Sequence, residues 1–152
     1  MGYPDGTFKP EKALTYREAL SMIKRLGDKS IVNLSVAKNS NPKFTKGTWG
    51  DEDVRFVLSR LPVNILENID LETEARRDEI SYVMAHFFNY KTGRESVNKF
   101  TDNNNINYLN EVELLVSNGT INGYPDGSFK PQNRLKRSEF VTMISNIPNF
   151  TK

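Results

Sequence analysis

Apolar residues recur along this chain at helical spacing, in stretches separated by polar, turn-rich segments. Ala19, Leu20, Ile23 and Leu26 make one face of a first predicted helix. Thr15 followed by Glu18 supplies the start signal, because each can satisfy the other's backbone N–H in a capping box. Residues 51–61 place Val54, Val57, Leu58 and Leu61 on a second stripe, and Ile80, Val83, Met84 and Phe87 form a third. Residues 106–118 bring Leu109, Val112, Leu115 and Val116 together, with Gly119 as the stop that tolerates a left-handed conformation. Phe140, Val141 and Ile144 form the last stripe, with Met143 near its edge. The pattern predicts an all-α or mainly α fold. Residues 28–48 form a polar connection with Lys, Asn, Ser and one Gly and read as the least ordered part. Ile31, Val32, Leu34 and Val36 fit a short strand or a short helix there.

The turn-rich segments repeat. Residues 2–25 and 123–146 align without a gap at a constant offset of 121. The pairs Gly2/Gly123, Tyr3/Tyr124, Pro4/Pro125, Asp5/Asp126, Gly6/Gly127, Phe8/Phe129, Lys9/Lys130 and Pro10/Pro131 are identical. So are Leu14/Leu135, Glu18/Glu139, Met22/Met143 and Ile23/Ile144. Pro-Asp-Gly is a turn: proline presets φ, the Asp carboxylate accepts a local N–H, and glycine tolerates positive φ. A third, degenerate copy aligns Glu79 with Glu18 and Glu139 but lacks the Gly-Tyr-Pro-Asp-Gly loop. The expected architecture is therefore one domain, 1–152, with three pseudo-repeated helix-loop-helix units around a shared helical core. The first unit, 2–27, is incomplete; the middle unit, 44–90, is degenerate; the last, 100–147, is complete. A half-unit exposes apolar surface, so a protein partner, a second copy, an upstream segment or residues 28–48 is expected to cover it.

Composition narrows the chemistry. The 21 basic and 19 acidic residues nearly balance, and no basic stripe of the kind that tracks nucleic acid appears. Cysteine is absent, which removes disulfides, thiol chemistry and cysteine-based zinc sites. No apolar run is long enough to span a bilayer, and the first residues do not read as a signal peptide. Work outside the cell would require an export signal upstream.

The twin loops and the helix starts that follow them resemble the S-layer homology family. Phe100-Thr101-Asp102 opens the last unit in the family manner, and Tyr108 stands near the usual Trp. Gly119 through Pro131 carries the loop, and Lys136-Arg137-Ser138-Glu139 stands at the family's Thr-Arg-Ala-Glu. The middle unit offers Trp49 and Arg76-Arg77-Asp78-Glu79; the first offers Thr15-Tyr16-Arg17-Glu18, with Tyr16 at the Arg position. The resemblance implies a pseudo-threefold bundle whose grooves bind secondary cell-wall polymers of Gram-positive envelopes, pyruvylated amino-sugar ends among them. It implies a noncatalytic, extracellular, wall- or S-layer-associated anchor without a cofactor. The alternative is a protein-interaction or assembly module that kept the scaffold and lost glycan binding.

By position, the resemblance makes Arg137 and Arg77 the leading ligand residues, with Arg76 and Arg17 beside the family site. A guanidinium can grip a carboxylate through two parallel hydrogen bonds, and backbone N–H groups at a helix start would favour the same anion. Tyr124 fits stacking on a sugar or packing under its loop, and Trp49 fits a groove wall or an exposed platform. Asp126 and Gly127 read first as turn residues whose outward groups can meet a ligand. Glu18, Glu79 and Glu139 read as helix-capping groups. His86 does not read as a metal ligand, and Asp102-Asn103-Asn104-Asn105 lacks the spacing of a calcium loop. No nucleophilic triad or paired-acid site is legible.

Overall fold

In the computed structural model, helix α1 spans Tyr16–Lys29, α2 Asp51–Ser59, α3 Arg77–Phe87, α4 Leu109–Ser117 and α5 Arg137–Ser145; a short 3-10 turn covers Asn103–Asn105. The structure describes residues 11–29, 51–62, 65–66, 69–90 and 100–148. The first Gly-Tyr-Pro-Asp-Gly loop, Trp49 and residues 30–48 lie outside the described residues. The fold is mainly helical, as the stripes predicted.

Helix ends follow local chemistry. At α1, the Thr15 N–H donates to Glu18 Oε1 at 2.9 Å and the Glu18 N–H donates to Thr15 Oγ1 at 3.1 Å, a reciprocal capping box. At α4, Gly119 takes φ 77°; its N–H reaches Val116 O and the Thr120 N–H reaches Leu115 O. These two bonds close the helix with a Schellman motif. Asn89, at φ 57°, ends α3 the same way, with bonds from Asn89 to His86 and from Tyr90 to Ala85.

Just before α1, α3 and α5 the chain is extended, and the three extended pieces meet. Leu14 N–H donates to Leu135 O at 2.9 Å, Leu135 N–H to Ala75 O at 2.8 Å, and Ala75 N–H to Leu14 O at 2.8 Å. Each of these buried residues lies four positions before Glu18, Glu79 or Glu139. The bonds close into a ring, so no strand edge is left inside the core. Three antiparallel bridges flank the ring, at Ala13↔Lys136, Thr15↔Glu74 and Arg76↔Arg134.

Around this ring the helices pack in pairs, α2 along α1 and α4 along α3. Val54 and Val57 of α2, like Val112 and Leu115 of α4, are fully buried. Gly27 leaves room for the Phe87 side chain of α3, whose ring stands where a β-carbon would be. One sequence expectation changes. The third stripe reads as one apolar face, but α3 is buried from Arg77 through Ala85, including Asp78, Glu79 and Ser81. A central helix has no solvent side, so its polar residues must find partners within the protein.

The joints at the helix starts as a candidate functional site

The first turn of an α-helix leaves backbone N–H groups unpaired. Here the neighbouring segment takes them. Tyr16 and Arg17 donate to Thr73 O and Leu71 O; Arg77 and Asp78 donate to Asn133 O and Pro131 O; Arg137 donates to Lys12 O. The expectation of available N–H groups is therefore corrected at Arg77, where loop carbonyls take the N–H groups of both Arg77 and Asp78; at α5 the Arg137 N–H is likewise taken, by Lys12 O.

Side chains reinforce the same three joints. Each residue two positions before a helix-start Glu reaches the Glu of the next segment. Tyr16 hydroxyl donates to Glu79, Arg77 Nη1 donates to Glu139 Oε2 at 3.0 Å, and Arg137 Nη1 lies 3.6 Å from Glu18 Oε2. All three of these side chains are buried. Glu18 and Glu139 also keep the capping role, accepting the N–H of Thr15 and Lys136. At α3 the N–H of Arg76 goes instead to the Tyr16 hydroxyl, at 3.3 Å.

The joint between α3 and the 119–131 loop has the most developed chemistry. Arg77 donates from Nε to Phe129 O at 3.0 Å and from Nη2 to Asn122 O at 3.3 Å. Its guanidinium lies 4.8 Å from the Tyr124 ring centre and 4.7 Å from that of Phe129, close enough for a cation–π contribution from each. Tyr124 hydroxyl donates to Glu139 Oε2 at 2.6 Å. Burial and that carboxylate push the Tyr124 phenol up to about 12. Lys130 Nζ sits 4.6 Å from the centre of the same ring. Tyr124 thus lies against two cations, one buried and one partly exposed.

Sequence reasoning missed what holds this loop. Asp102 accepts the N–H groups of Phe129 and Lys130 at 2.9 and 2.8 Å, one on each carboxylate oxygen. The grip accompanies a left-handed Lys130, at φ 58°. The legible signal was Asp102 in Phe-Thr-Asp, which the sequence alone presents only as the opening of the last unit. Within the turn, Gly127 takes φ 87° and donates to Tyr124 O. Asp126 is exposed, and bonds from the Ser128 hydroxyl and N–H lower its carboxyl below the usual range.

The remaining sequence-derived residues occupy the joint between α1 and the segment before α3. Arg17 is buried and donates from Nε to Glu72 Oε2 at 2.7 Å. Arg76 is partly exposed and pairs from Nη2 with Asp78 Oδ2 at 3.1 Å. Asp78 is fully buried, and its Oδ1 has no hydrogen-bond partner among the described residues. Burial raises its carboxyl above the usual range, against the pull of Arg76. The structure thus brings Arg77, Tyr124, Asp126 and Gly127 to one joint, Arg17 and Arg76 to a second, and Arg137 to a third.

Fold and joints together define a helical module closed into a ring by loops that cap their neighbours' helices. The S-layer homology domain model matches residues 1–20 and 99–141. Over 158 aligned positions the chain is 32% identical to Cell surface glycoprotein 1 of Acetivibrio thermocellus, covering 95% of this chain and 7% of that protein. It is 28% identical to the Cellulosome-anchoring protein of the same organism, covering 95% of this chain and 34% of that protein. The matched segments, less than half of the chain, are similar to the S-layer homology domain, and the similarity to the two relatives runs over nearly all of the chain. It spans under a tenth of one relative and about a third of the other. No helix among the described residues is long and apolar enough to cross a membrane.

Proposed function

We propose that this chain is a noncatalytic module that anchors a surface protein to an anionic secondary polysaccharide of the cell wall, and that it works outside the cell. The likeness to the S-layer homology domain and the similarity to a protein named for cellulosome anchoring support the general role. The observation that carries the glycan reading is the Tyr124 ring, with Lys130 at 4.6 Å and Arg77 at 4.8 Å. An aromatic face beside a partly exposed ammonium suits a sugar bearing a carboxylate, pyruvylated ends included. In this reading Lys130 and Tyr124 contact the ligand, Asn122, Asp126 and Gly127 border it, and Arg77 holds the loop from beneath. Arg137 plays the corresponding part at its own joint, whereas Arg17 and Arg76 lie where Tyr16 leaves one cation fewer.

The test is retention on isolated Gram-positive walls, before and after chemical removal of the acidic secondary polymer. Removal should release the protein, and Lys130→Ala with Tyr124→Ala should weaken retention at least tenfold while the helical circular dichroism stays intact. Equal retention on stripped walls would refute the reading. A second reading, an assembly module without glycan binding, is favoured by the internal bonding of Arg77, whose three donor nitrogens already have partners. It expects no polymer-dependent retention and a defined protein complex.

A further inference from the structure

Two Asn-Gly pairs lie close together in the chain, Asn118-Gly119 and Asn122-Gly123. A glycine nitrogen can attack the side-chain amide of a preceding Asn with little hindrance, because glycine has no β-carbon. The fold treats the two pairs differently. Asn118 closes α4: its Nδ2 donates to Leu114 O at 2.8 Å, and the Gly119 N–H donates to Val116 O at 3.0 Å. Attack would break both bonds, so this pair is guarded. The Asp126-Gly127 pair in the same loop is guarded likewise, since the Gly127 N–H donates to Tyr124 O and Asp126 Oδ1 accepts from Ser128.

Asn122-Gly123 has no such guard. Asn122 is exposed, and neither its side-chain amide nor the Gly123 N–H has a hydrogen-bond partner among the described residues. The glycine is fixed by packing: a β-carbon there would collide with the Phe100 ring and stand 2.8 Å from Ser128 O. Arg77 adds an electrostatic bias. Its Nη2 donates to Asn122 O at 3.3 Å, and that carbonyl belongs to the peptide group whose nitrogen must lose its proton to attack. The charge of a deprotonated amide is shared with its oxygen, so a buried guanidinium on that oxygen stabilises the attacking form.

We propose that Asn122-Gly123 is a site of spontaneous deamidation, favoured by Arg77, and that its conversion loosens the 119–131 loop from α3. Hydroxide removes the Gly123 amide proton, and the nitrogen bonds to Asn122 Cγ. The Cγ–Nδ2 bond then breaks, and Nδ2 takes a proton from water and leaves as ammonia, restoring the hydroxide. A second water opens the resulting succinimide at either carbonyl, leaving an aspartyl or an isoaspartyl residue at position 122. The aspartyl product adds a carboxylate beside the joint. The isoaspartyl product adds a methylene to the backbone and displaces the carbonyl that Arg77 holds. The consequence for wall attachment rests on the glycan reading above; the conversion itself does not.

The full chain is aged in mildly alkaline buffer, both native and unfolded in urea, then digested. Mass spectrometry reads each conversion as the mass gain of an amide turned to an acid, with isoaspartate resolved by fragmentation. In the native protein Asn122 should convert at least as fast as in urea, whereas Asn118 should convert at least tenfold more slowly than in urea. Asn122→Gln should abolish the change at its position, because glutamine would have to close a larger ring. Native Asn122 slowed as much as native Asn118 would overturn the proposal. The thermal midpoint of aged protein should fall with the isoaspartyl fraction, and an unchanged midpoint would overturn the loosening. Asn122→Asp should reduce polymer-dependent wall retention; equal retention would overturn the consequence for attachment. Retention of the parent chain that does not depend on the polymer counts against the glycan reading alone, and the mass readout still judges the deamidation.

Discussion

Replacing Arg77 by alanine separates a structural strut from a ligand contact. The side chain is 2% exposed and its carboxylate partner Glu139 is 20% exposed. Truncation removes the Glu139 pair and takes donors from Phe129 O and Asn122 O. Removing one partner of a buried pair costs about 3–5 kcal/mol, because the remaining charge is left uncompensated. Glu139 still receives Tyr124 and Lys136, which places the expected loss near the lower bound, about 3 kcal/mol. For a chain of this size that is a fall of about 10 °C in Tm, at roughly 2–4 °C per kcal/mol. The assay is urea and thermal unfolding followed by circular dichroism, with Glu139→Gln and the double variant completing a cycle. A coupling between the two sites above about 1 kcal/mol is expected. An Arg77→Ala protein with unchanged stability that nevertheless loses wall retention would refute the reasoning and make Arg77 a direct ligand residue.

Other outcomes follow from the same structure. The folded-state phenols of Tyr90 and Tyr124 are raised to about 12, and that of Tyr16 is raised further, chiefly by burial. Their contribution to stability is complete below the ordinary tyrosine value of about 10 and is lost as pH rises from there through the folded values; urea midpoints should fall above pH 10, and Tyr124→Phe should flatten that fall. Asp78 has a raised folded value, so its contribution is complete below the ordinary carboxyl range and declines as pH rises. Asp78→Asn should gain stability relative to the parent between pH 3 and pH 7, and a pH-independent difference would count against this assignment. Gly27→Ala sets a β-carbon against the Phe87 ring, and unfolding should show a loss of about 1–3 kcal/mol from overpacking. Gly127→Ala, at φ 87°, should lower stability by about 1 kcal/mol, with a local change at Tyr124 visible by nuclear magnetic resonance.

Much of the local structure is legible in the sequence, because helix stripes and caps depend on residues within a few positions of one another. The five helices, the Thr15–Glu18 box, the Gly119 stop and the Pro-Asp-Gly turn are of this kind. Repeat register added long-range information of a limited sort: it identified Tyr16, Arg77 and Arg137 as equivalent, and Glu18, Glu79 and Glu139 likewise. It did not show that each of the first set reaches the Glu of the next segment, since those partners are brought together only when the ring of extended residues closes. That closure decided which polar groups were available. Loop carbonyls took the helix-start N–H groups, and burial turned Arg77 from an apparent open fork into a bonded strut. It also placed Asp102 beneath the Phe129–Lys130 backbone and gave α1 and α3 companions. Short-range torsional and capping preferences act within one segment, but burial and partner choice belong to surfaces that exist only after segments far apart in the chain have met.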